Sequence, residues 1–404
     1  MTLRILLSLL LLLPTLALGK ARKVDDYQWE GVERVVAIGD IHGDLDHYMA
    51  TLQAAGLVDK RGRWAGGETH LVQVGDLPDR GPDTREIIEH ISKLAKQAKR
   101  AGGHVHSLIG NHEVMNVTGD LRYLHAGEIA AFETSKSKDL QDRYLDIYLA
   151  QLQATDPEAF AALPPDFRDQ WKTEHPPGWL EHRQAWDPRW NPEAEYAAWV
   201  MERKVAIRIN DSIFVHGGIS AQYCGNSLAS LTERVVEGLQ NYDPLNPGIL
   251  EDPNGPLWYR GLSGKQPVAL PETVAAILER HGANRIVVGH TPTFGVVWPE
   301  YGGQTVVVDT GISDYYGGNV AYLEITADAR TAGYLDGKLP LPEGDASRVE
   351  YLEAVIALNP DNKRLLERLE LLKNPPPVEA APPADAEGEA AQEEPPEPLI
   401  CGTS

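Results

Sequence analysis

The sequence predicts a layered α/β fold whose polar residues gather along one edge of the sheets. Short runs of β-branched and other apolar residues recur along the chain, at 35–38, 71–74, 104–109, 212–215 and 285–288. Such runs are typical of buried strands. Helical patterns, at 84–99 and 271–280, lie between some of them. Strands that alternate with helices favour layered α/β architectures, in which ligands bind beyond the carboxyl ends of the strands.

Each apolar run is followed at once by a cluster of Asp, His, Asn and Gly. The clusters are GDIHGD (39–44), GDLPDRG (75–81), GNHE (110–113), HGG (216–218) and GHT (289–291). One such cluster is weak evidence, because a strand-end Asp commonly caps a helix or a turn. Together they offer oxygen and nitrogen donors without thiolates, from Asp40, His42, Asp76, Asn111, His216 and His290. That set suits Mn, Fe or Zn, and a carboxylate shared by two ions would build a two-metal site for displacement at phosphorus.

Length and charge limit the classes of partner. The chain has 404 residues, 42% of them hydrophobic, which is enough for one large domain with an insertion or a small accessory domain. Its formal net charge is −22. Nucleic-acid binding usually needs a basic surface, so we expect no nucleic-acid partner. The same acidity disfavours adhesion to anionic lipid.

The N-terminal residues predict export. Residues 1–19 have the layout of a signal peptide: a short basic start, an apolar run at 5–18, and small residues at Ala17 and Gly19. The alternative is an uncleaved membrane anchor, but the run is shorter than the ~20 residues of a span. We therefore expect a periplasmic or secreted protein with no stable membrane anchor after cleavage. The two cysteines, Cys224 and Cys401, are far apart and are expected to be bystanders.

The rest of the chain divides by composition. We predict a catalytic domain at 20–345, interrupted by a mainly helical, Trp-rich insertion at about 117–202. The insertion begins after one polar cluster and ends before the next, so it either caps the site or packs away from substrate. Residues 346–373 have the pattern of one or two amphipathic helices. Residues 374–404 form a Pro/Ala/Glu tail that we expect to be disordered.

The ordered set of clusters resembles the metallophosphoesterases of the calcineurin-like superfamily, and within them the phosphoprotein phosphatases. Two further runs, GNHEVMN (110–116) and PLWYRG (256–261), are most similar to the bacterial Shewanella-like protein phosphatases. The resemblance covers roughly residues 35–325. It implies a two-sheet sandwich flanked by helices, and a metal-dependent phosphomonoesterase with two divalent ions. Manganese is the first expectation for those ions, and Fe or Zn are the alternatives.

The resemblance also implies a role for each matching residue. The implied metal ligands are Asp40 and His42 for the first ion, Asp76 for both ions, and Asn111, His216 and His290 for the second. A hydroxide bridging the ions would attack phosphorus in line, His112 would protonate the leaving oxygen, and Asp79 would orient His112. The residues implied to bind the substrate phosphate or lie beside the leaving group are Arg80, Arg260, Asn111 and Tyr316.

Structural alternatives exist for three of these residues. His112 fits a packed core histidine, Arg80 fits an ion pair with Asp79 or Asp83, and Arg260 fits a surface salt bridge. Six further histidines are expected to have no part in the chemistry: His47, His104, His106, His125, His175 and His182.

The substrate is the least determined feature. The resemblance implies a phosphorylated protein, carrying phosphotyrosine, phosphoserine or phosphothreonine, while the chemistry alone also allows a small phosphomonoester. Asp44, the Leu77-Pro78 pair and the Trp-rich insertion depart from the eukaryotic pattern and put substrate preference in doubt. A dinucleoside polyphosphate hydrolase, similar to the diadenosine tetraphosphate hydrolases, is the alternative enzyme, because those proteins share GDIHG, GDLxDRG and the Asp-Thr-Gly at 309–311. A non-catalytic scaffold is the alternative outside enzymes.

Overall fold

The computed structural model describes residues 22–265, 268–375 and 401. The predicted signal peptide and nearly all of the predicted disordered tail lie outside these residues. Within the described ranges, no helix has both the length and the apolar character needed to cross a membrane.

The described residues contain thirteen strands in two sheets. In chain order they are β1 (Arg22–Lys23), β2 (Gln28–Glu30), β3 (Arg34–Ile38), β4 (His70–Gln73), β5 (His104–Ser107), β6 (Ala206–Ile209), β7 (Ser212–Val215), β8 (Arg285–Val288), β9 (Trp298–Glu300), β10 (Thr305–Val307), β11 (Ala321–Thr326), β12 (Arg330–Tyr334) and β13 (Gly337–Pro340). One sheet has the order β1-β2-β6-β7-β8-β10-β9, and the other has the order β13-β12-β11-β3-β4-β5.

Both sheets are mixed, and each has three neighbouring parallel strands. These are β3, β4 and β5 in one sheet and β7, β8 and β10 in the other. Their side chains are almost all buried and belong to one hydrophobic core that includes residues of both sheets. Because parallel strands point the same way, each set sends its following loops to one edge of its sheet. The predicted layered fold is therefore confirmed, and the five predicted strands fall in β3, β4, β5, β7 and β8.

Helices flank the sheets and build the insertion. In chain order they are α1 (Leu45–Ala54), α2 (Thr84–Arg100), α3 (Asn111–Thr118), α4 (Ala126–Ala130), α5 (Ser137–Thr155), α6 (Pro157–Ala161), α7 (Phe167–Glu174), α8 (Trp179–Trp186), α9 (Glu195–Met201), α10 (Leu228–Gln240), α11 (Pro271–His281), α12 (Arg348–Leu358) and α13 (Lys363–Lys373). Helix α2 shows why they form: its apolar residues recur at helical spacing, and Ile87, Ile91 and Leu94 are buried against the sheet.

The tryptophans of the insertion pack mainly against its own residues. Trp171 stacks on His175, and Trp179 meets Trp190 edge to face with ring centroids 5.6 Å apart. Trp186 is almost fully buried and stacks on Tyr196. Aromatic pairs of this kind stabilise a small helical unit beyond the area they bury. The insertion therefore has an aromatic core of its own, in helices α4 to α9.

The expectation that the two cysteines are bystanders is wrong. Cys224 and Cys401 form a disulfide, with their Cα atoms 5.7 Å apart. They are 177 positions apart in the sequence, and such a separation gives no measure of distance in the fold. Cys224 is buried in the loop between β7 and α10, and Cys401 lies against the hydrophobic core.

Candidate active site

The candidate site lies where the loops after the parallel strands of the two sheets meet. Asp40 and His42 follow β3, Asp76 follows β4, and His216 and His290 follow β7 and β8. Backbone contact between these loops is close: the His42 N–H donates to the Asp76 carbonyl at 3.1 Å. At Gly110, a Cβ atom would lie 2.2 Å from Asp76 Oδ1, so only glycine fits. The loops thus bring residues from distant parts of the sequence into one buried cluster.

Backbone strain is concentrated at this cluster. Eight non-glycine residues in the described part of the chain have positive φ, and five of them belong to the candidate site: His42, Asp76, Asp79, Arg80 and His290. Each such residue costs about 1–3 kcal/mol and persists only where its surroundings fix it. The concentration therefore indicates that the loops are held in a set geometry.

Asp76 is at the centre of the cluster. Its Oδ2 lies 3.3 Å from His216 Nε2 and 3.9 Å from both His42 Nε2 and His112 Nε2. Two sets of three possible metal-binding side chains share it. In each set the candidate ligand atoms lie within 4.8 Å of one another, and the sets are His42, Asp76 and His112, and Asp76, His216 and His290. A carboxylate common to two sets is the arrangement that a dinuclear centre requires.

The three predicted histidine ligands are oriented by backbone carbonyls. His42 Nδ1 lies 3.1 Å from the Pro78 carbonyl, and His216 Nδ1 lies 2.9 Å from the Val74 carbonyl. In His290 the other ring nitrogen, Nε2, makes this contact with the Trp258 carbonyl at 3.1 Å. A ring nitrogen that donates to a carbonyl leaves the other nitrogen unprotonated and free to bind a metal.

Burial keeps the rings of His42 and His290 neutral. Removal from water, assisted by the positive charge of a protonated His112, lowers the pKa of His42 to about 3. Burial and the neighbouring His216 hold the pKa of His290 well below its ordinary value. Neutral imidazole is the form that coordinates metal ions. All three histidines therefore fit a metal centre in orientation, and His42 and His290 fit it in protonation as well.

Three buried carboxylates also meet here. Asp40 accepts the His290 N–H at 3.0 Å. Burial, together with the negative charges of Asp309 and Asp76, holds the pKa of Asp40 well above its ordinary range. Burial likewise raises the pKa of Asp309 to about 6. Like charges in a space closed to water repel unless cations neutralise them, so this group also fits divalent metals.

Asn111 and His112 begin helix α3 at the same edge. The Asn111 side-chain oxygen lies 3.0 Å from His216 Nε2, which puts it beside the set formed by Asp76, His216 and His290. His112 was expected to act as a proton donor rather than a ligand, yet its Nε2 lies in the same set as His42 and Asp76. Asp40 is outside both sets and contacts His290 through the backbone.

His112 and Asp79 form a buried pair. His112 Nδ1 lies 2.5 Å from Asp79 Oδ2, and the Asn116 side chain donates to Asp79 Oδ1 at 3.1 Å. Burial alone would lower the pKa of His112, but the carboxylates of Asp76 and Asp79 outweigh burial and raise that pKa above its ordinary value. With Nδ1 bound to Asp79, Nε2 faces Asp76 and the centre of the cluster. The ring is thus placed to carry a proton to that centre.

Arg80 lies among three tyrosines. Its guanidinium carbon is 4.5 Å from the ring centre of Tyr123, 4.8 Å from that of Tyr315 and 5.2 Å from that of Tyr316. Among the described residues no ion pair joins it to Asp79 or Asp83. The guanidinium therefore stacks on aromatic faces and keeps its donors for another partner. Tyr123 comes from the insertion, and its ring centre is 5.2 Å from that of His112.

Arg260 and Tyr316 border the same cluster. Arg260 donates from Nη1 to the His290 carbonyl and to Thr291 Oγ1, and it lines a cavity of about 460 Å³ beside the site. Among the described residues no acidic side chain forms a salt bridge with Arg260, and its guanidinium is held by a carbonyl and a hydroxyl instead. The Tyr316 ring lies 5.5 Å from that of His42, and burial raises the pKa of its phenol, which keeps the hydroxyl protonated.

Three residues that the sequence analysis passed over support the cluster. Glu113 accepts the backbone N–H groups of Asp76, Leu77 and Gly110 at 2.7–2.9 Å. Its place in the first turn of α3 is a known helix-start signal and was open to detection. Glu128 and Tyr123 come from the insertion, and no motif marks either of them.

The other histidines are placed as follows. His104 and His106 lie on β5 beside Trp29 and apart from the cluster, as predicted. His47 contacts Asp44, His125 caps α4, and His175 stacks on Trp171. His182 is fully buried with its Nε2 3.5 Å from Glu128 Oε1, so it is a packing residue close to the back of the site.

Buried carboxylates beside neutral imidazoles, with arginines at the margin, are the features of a metal-dependent phosphoesterase. Comparison with known families agrees: residues 33–294 match the calcineurin-like phosphoesterase model, and the chain belongs to that family. As a member of this family, the protein is a hydrolase of phosphoesters. The family uses a dinuclear metal centre, which agrees with the two sets of candidate ligands around Asp76.

Individual relatives include Shewanella-like phosphatases within this family. Shewanella-like protein phosphatase 2 of Arabidopsis thaliana is 29% identical, over 71% of this chain and 73% of its own length. An uncharacterized protein of Schizosaccharomyces pombe is 30% identical, over 72% of this chain and 77% of its own. The solved structure of a cold-active protein-tyrosine phosphatase from a psychrophilic Shewanella species is 27% identical, with a TM-score of 0.57, over 79% of this chain and 83% of that one. The predicted resemblance to Shewanella-like phosphatases and the predicted two-sheet sandwich are confirmed.

Proposed function

We propose that this protein is an exported, manganese-dependent protein phosphatase that acts preferentially on phosphotyrosine. The observation that carries the substrate preference is the aromatic surface around Arg80, formed by Tyr123, Tyr315 and Tyr316. A phosphate bound by Arg80 would place its leaving group beside these rings, and an aromatic leaving group gains stacking contacts that serine does not. The Shewanella enzyme of similar fold is named a protein-tyrosine phosphatase, which supports the same preference.

The proposed roles follow from the positions of the side chains. Divalent ions would be held by Asp40, His42, Asp76, Asn111, His216 and His290. When bound, two such ions neutralise phosphate charge and lower the pKa of a water molecule, which becomes the nucleophile. Manganese suits this donor set, which has no thiolate. Restoring activity to the chelated protein with Mn, Fe or Zn in turn tests this choice, and a clear preference for Fe or Zn would reject it.

His112 would supply the leaving-group proton. Its Nδ1 is bound to Asp79, so the proton is delivered from Nε2, which faces the cluster. As the proton leaves, the Asp79 carboxylate keeps the ring oriented. Arg80 and Arg260 would bind non-bridging phosphate oxygens, for which the planar guanidinium is well shaped. Asn111 would contact the same phosphate, and the Tyr316 hydroxyl, which stays protonated, would donate near the leaving oxygen.

The experiment is a comparison of three substrates with the protein lacking residues 1–19. A phosphotyrosine peptide, a phosphoserine peptide of matched sequence and a dinucleoside polyphosphate are incubated with chelated enzyme, with Mn restored to half of the samples. We expect Mn-dependent phosphate release, fastest from phosphotyrosine and lost in His112→Asn. Equal rates for the two peptides would reject the tyrosine preference. Cleavage of the dinucleotide alone would reject the protein-phosphatase proposal, and inactivity with every metal would favour the scaffold alternative.

Export rests on two observations of different kinds. Residues 1–19 have the composition of a signal peptide, and Cys224 is paired with Cys401. Disulfides persist mainly in oxidising compartments outside the cytoplasm. We expect protein recovered from outside the cytoplasm to begin after residue 19, which N-terminal sequencing checks. Recovery of the full-length chain from the cytoplasm alone would reject export.

A further inference from the structure

The insertion contacts the backbone of a site residue, Asp79, through a buried carboxylate. Glu128 belongs to α4 and is fully buried. Its Oε2 accepts the backbone N–H of Asp79 at 3.2 Å. Its Oε1 lies 3.5 Å from Nε2 of His182, which is also fully buried. Burying a carboxyl group costs free energy of folding unless the group is hydrogen-bonded or paired. The proposed chemistry assigns Glu128 no role.

The backbone that Glu128 contacts is strained. Asp79 and Arg80 are adjacent non-glycine residues with φ values of 72° and 67°. The insertion holds both peptide groups: Glu128 accepts the Asp79 N–H, and the Tyr123 carbonyl accepts the Arg80 N–H at 3.0 Å. Contacts at two consecutive N–H groups fix the turn that would otherwise relax.

This turn determines where the Asp79 carboxylate points. Asp79 Oδ2 contacts His112 Nδ1, and Asn116 donates to Oδ1. Those two contacts fix the side chain of Asp79, while Glu128 fixes its backbone N–H. A shift of the turn would move Asp79 and rotate the His112 ring, and small displacements of a catalytic group can slow a reaction by about 100-fold.

We propose that Glu128 is a positioning residue that aligns the Asp79–His112 pair for proton transfer to the leaving oxygen. The inference rests on the proposed function, in which His112 is the proton donor. The reach of the Glu128 side chain matters, and its charge does not, because a carboxylate, a protonated carboxyl and an amide can each accept the Asp79 N–H. Variants that change only the length or only the charge of residue 128 therefore separate a positioning effect from an electrostatic effect.

The test uses two conservative substitutions. Glu128→Asp keeps the charge but shortens the side chain and withdraws the acceptor from Asp79. Glu128→Gln keeps the length and the acceptor but removes the charge. The matched control is Glu133→Asp, an exposed acid five positions further along the insertion. Each variant is assayed with phenyl phosphate, whose leaving group needs a proton, and with 4-nitrophenyl phosphate, whose leaving group needs it much less.

We expect Glu128→Asp to lower kcat for phenyl phosphate by roughly 10–100-fold, and kcat for 4-nitrophenyl phosphate by less than about 3-fold, with KM nearly unchanged. Glu128→Gln and the Glu133 control should resemble the unaltered enzyme with both substrates. Metal content, measured by mass spectrometry of the purified protein, should stay the same in all variants. In a His112→Asn background, Glu128→Asp should have no further effect on the ratio of the two rates.

Four results would overturn the inference. They are an unchanged rate with phenyl phosphate, an equal loss with both substrates, a loss in Glu128→Gln as large as in Glu128→Asp, and a fall in metal content. If Glu128→Asp gives no folded protein by circular dichroism, Glu128→Ala is measured in its place against the same expectation. An enzyme that hydrolyses both aryl phosphates but no phosphopeptide would reject the protein-phosphatase proposal and leave this test intact.

Discussion

The strand-end loops and the insertion contribute to one site in different ways. The loops supply side chains that point into the cluster, such as Asp76 and His216, from short motifs of consecutive residues. The insertion supplies contacts to the backbone of one loop and an aromatic surface, through Glu128 and Tyr123. In the proposed function the loops carry the chemistry, and the insertion sets alignment and substrate preference. This division predicts large effects for loop substitutions and smaller, substrate-dependent effects for insertion substitutions.

Substitution of Asp76 should have the largest effect. Asp76→Asn removes the charge shared by both candidate metal sets. We expect kcat for 4-nitrophenyl phosphate to fall by at least about 10³-fold, because metal ions stabilise the transition state by several kcal/mol. Bound metal, measured in the same preparation, should fall as well. Asp46→Asn, at an exposed position in α1, is the control, and retention of full metal content by Asp76→Asn would contradict the shared-ligand assignment.

His112→Asn tests whether this loop residue is a proton donor or a metal ligand. We expect kcat for a phosphotyrosine peptide to fall by about 10²–10⁴-fold, with a smaller loss for 4-nitrophenyl phosphate. Because His112 Nε2 lies near Asp76 and His42, a ligand role is geometrically available. Metal analysis distinguishes the proton-donor role from the ligand role: the metal content of His112→Asn should be unchanged if His112 is a proton donor. A proportional loss of metal would assign His112 to the metal centre instead.

Glu128 should make stability depend on pH. Burial, and then the negative charge of Asp79, raise the pKa of Glu128 to about 8 from an ordinary 4.5, with His125 and His182 as the other titratable neighbours. The unfolded chain loses this proton near pH 4.5 and the folded protein only near pH 8. The stabilisation is therefore complete below pH 4.5 and is lost as pH rises through about 8. Relative to Glu128→Gln, the chelated protein should lose on the order of 4 kcal/mol in free energy of unfolding between pH 5 and 8.5.

Urea denaturation of the two proteins at both pH values measures this difference. If the free energies of unfolding of the two proteins differ by the same amount at both pH values, Glu128 has an ordinary pKa. The insertion would then not exclude water from that side of the site.

Tyr123→Leu should have the smallest effect and the most selective one. Loss of the ring beside Arg80 and His112 removes stacking worth about 0.5–1.5 kcal/mol. We expect kcat/KM for a phosphotyrosine peptide to fall by roughly 3–10-fold, with little change for the matched phosphoserine peptide. Tyr148→Leu, on α5, is the control. An equal fall for both peptides would mean that Tyr123 supports Arg80 rather than the leaving group.

The sequence predicts the loops much better than the insertion, for physical reasons. A metal site needs specific donors directly after buried strands, so Asp40, Asp76 and His290 are visible as motifs, and Glu113 was detectable from its place in the first turn of a helix. Glu128 acts through one acceptor atom on a backbone N–H, a contact that many side chains can make and that leaves no pattern.

Two further features depend on the three-dimensional path of the chain. The sequence predicts a helical insertion, but it does not show that Tyr123, rather than the tryptophans, meets Arg80. Nor does it show that Cys224 and Cys401 are neighbours. In both cases residues that are unremarkable in sequence are joined by folding.

The disulfide between Cys224 and Cys401 gives the chain a covalent ring. A protease that cuts the backbone once anywhere inside this ring, including the acidic segment before Cys401, opens the loop without releasing a fragment. The two pieces separate only when the sulfur bridge is reduced. In an extracellular setting rich in peptidases, the enzyme would therefore keep its C-terminal portion attached after a first nick, and only a gel run with thiol would resolve the cut form into two pieces.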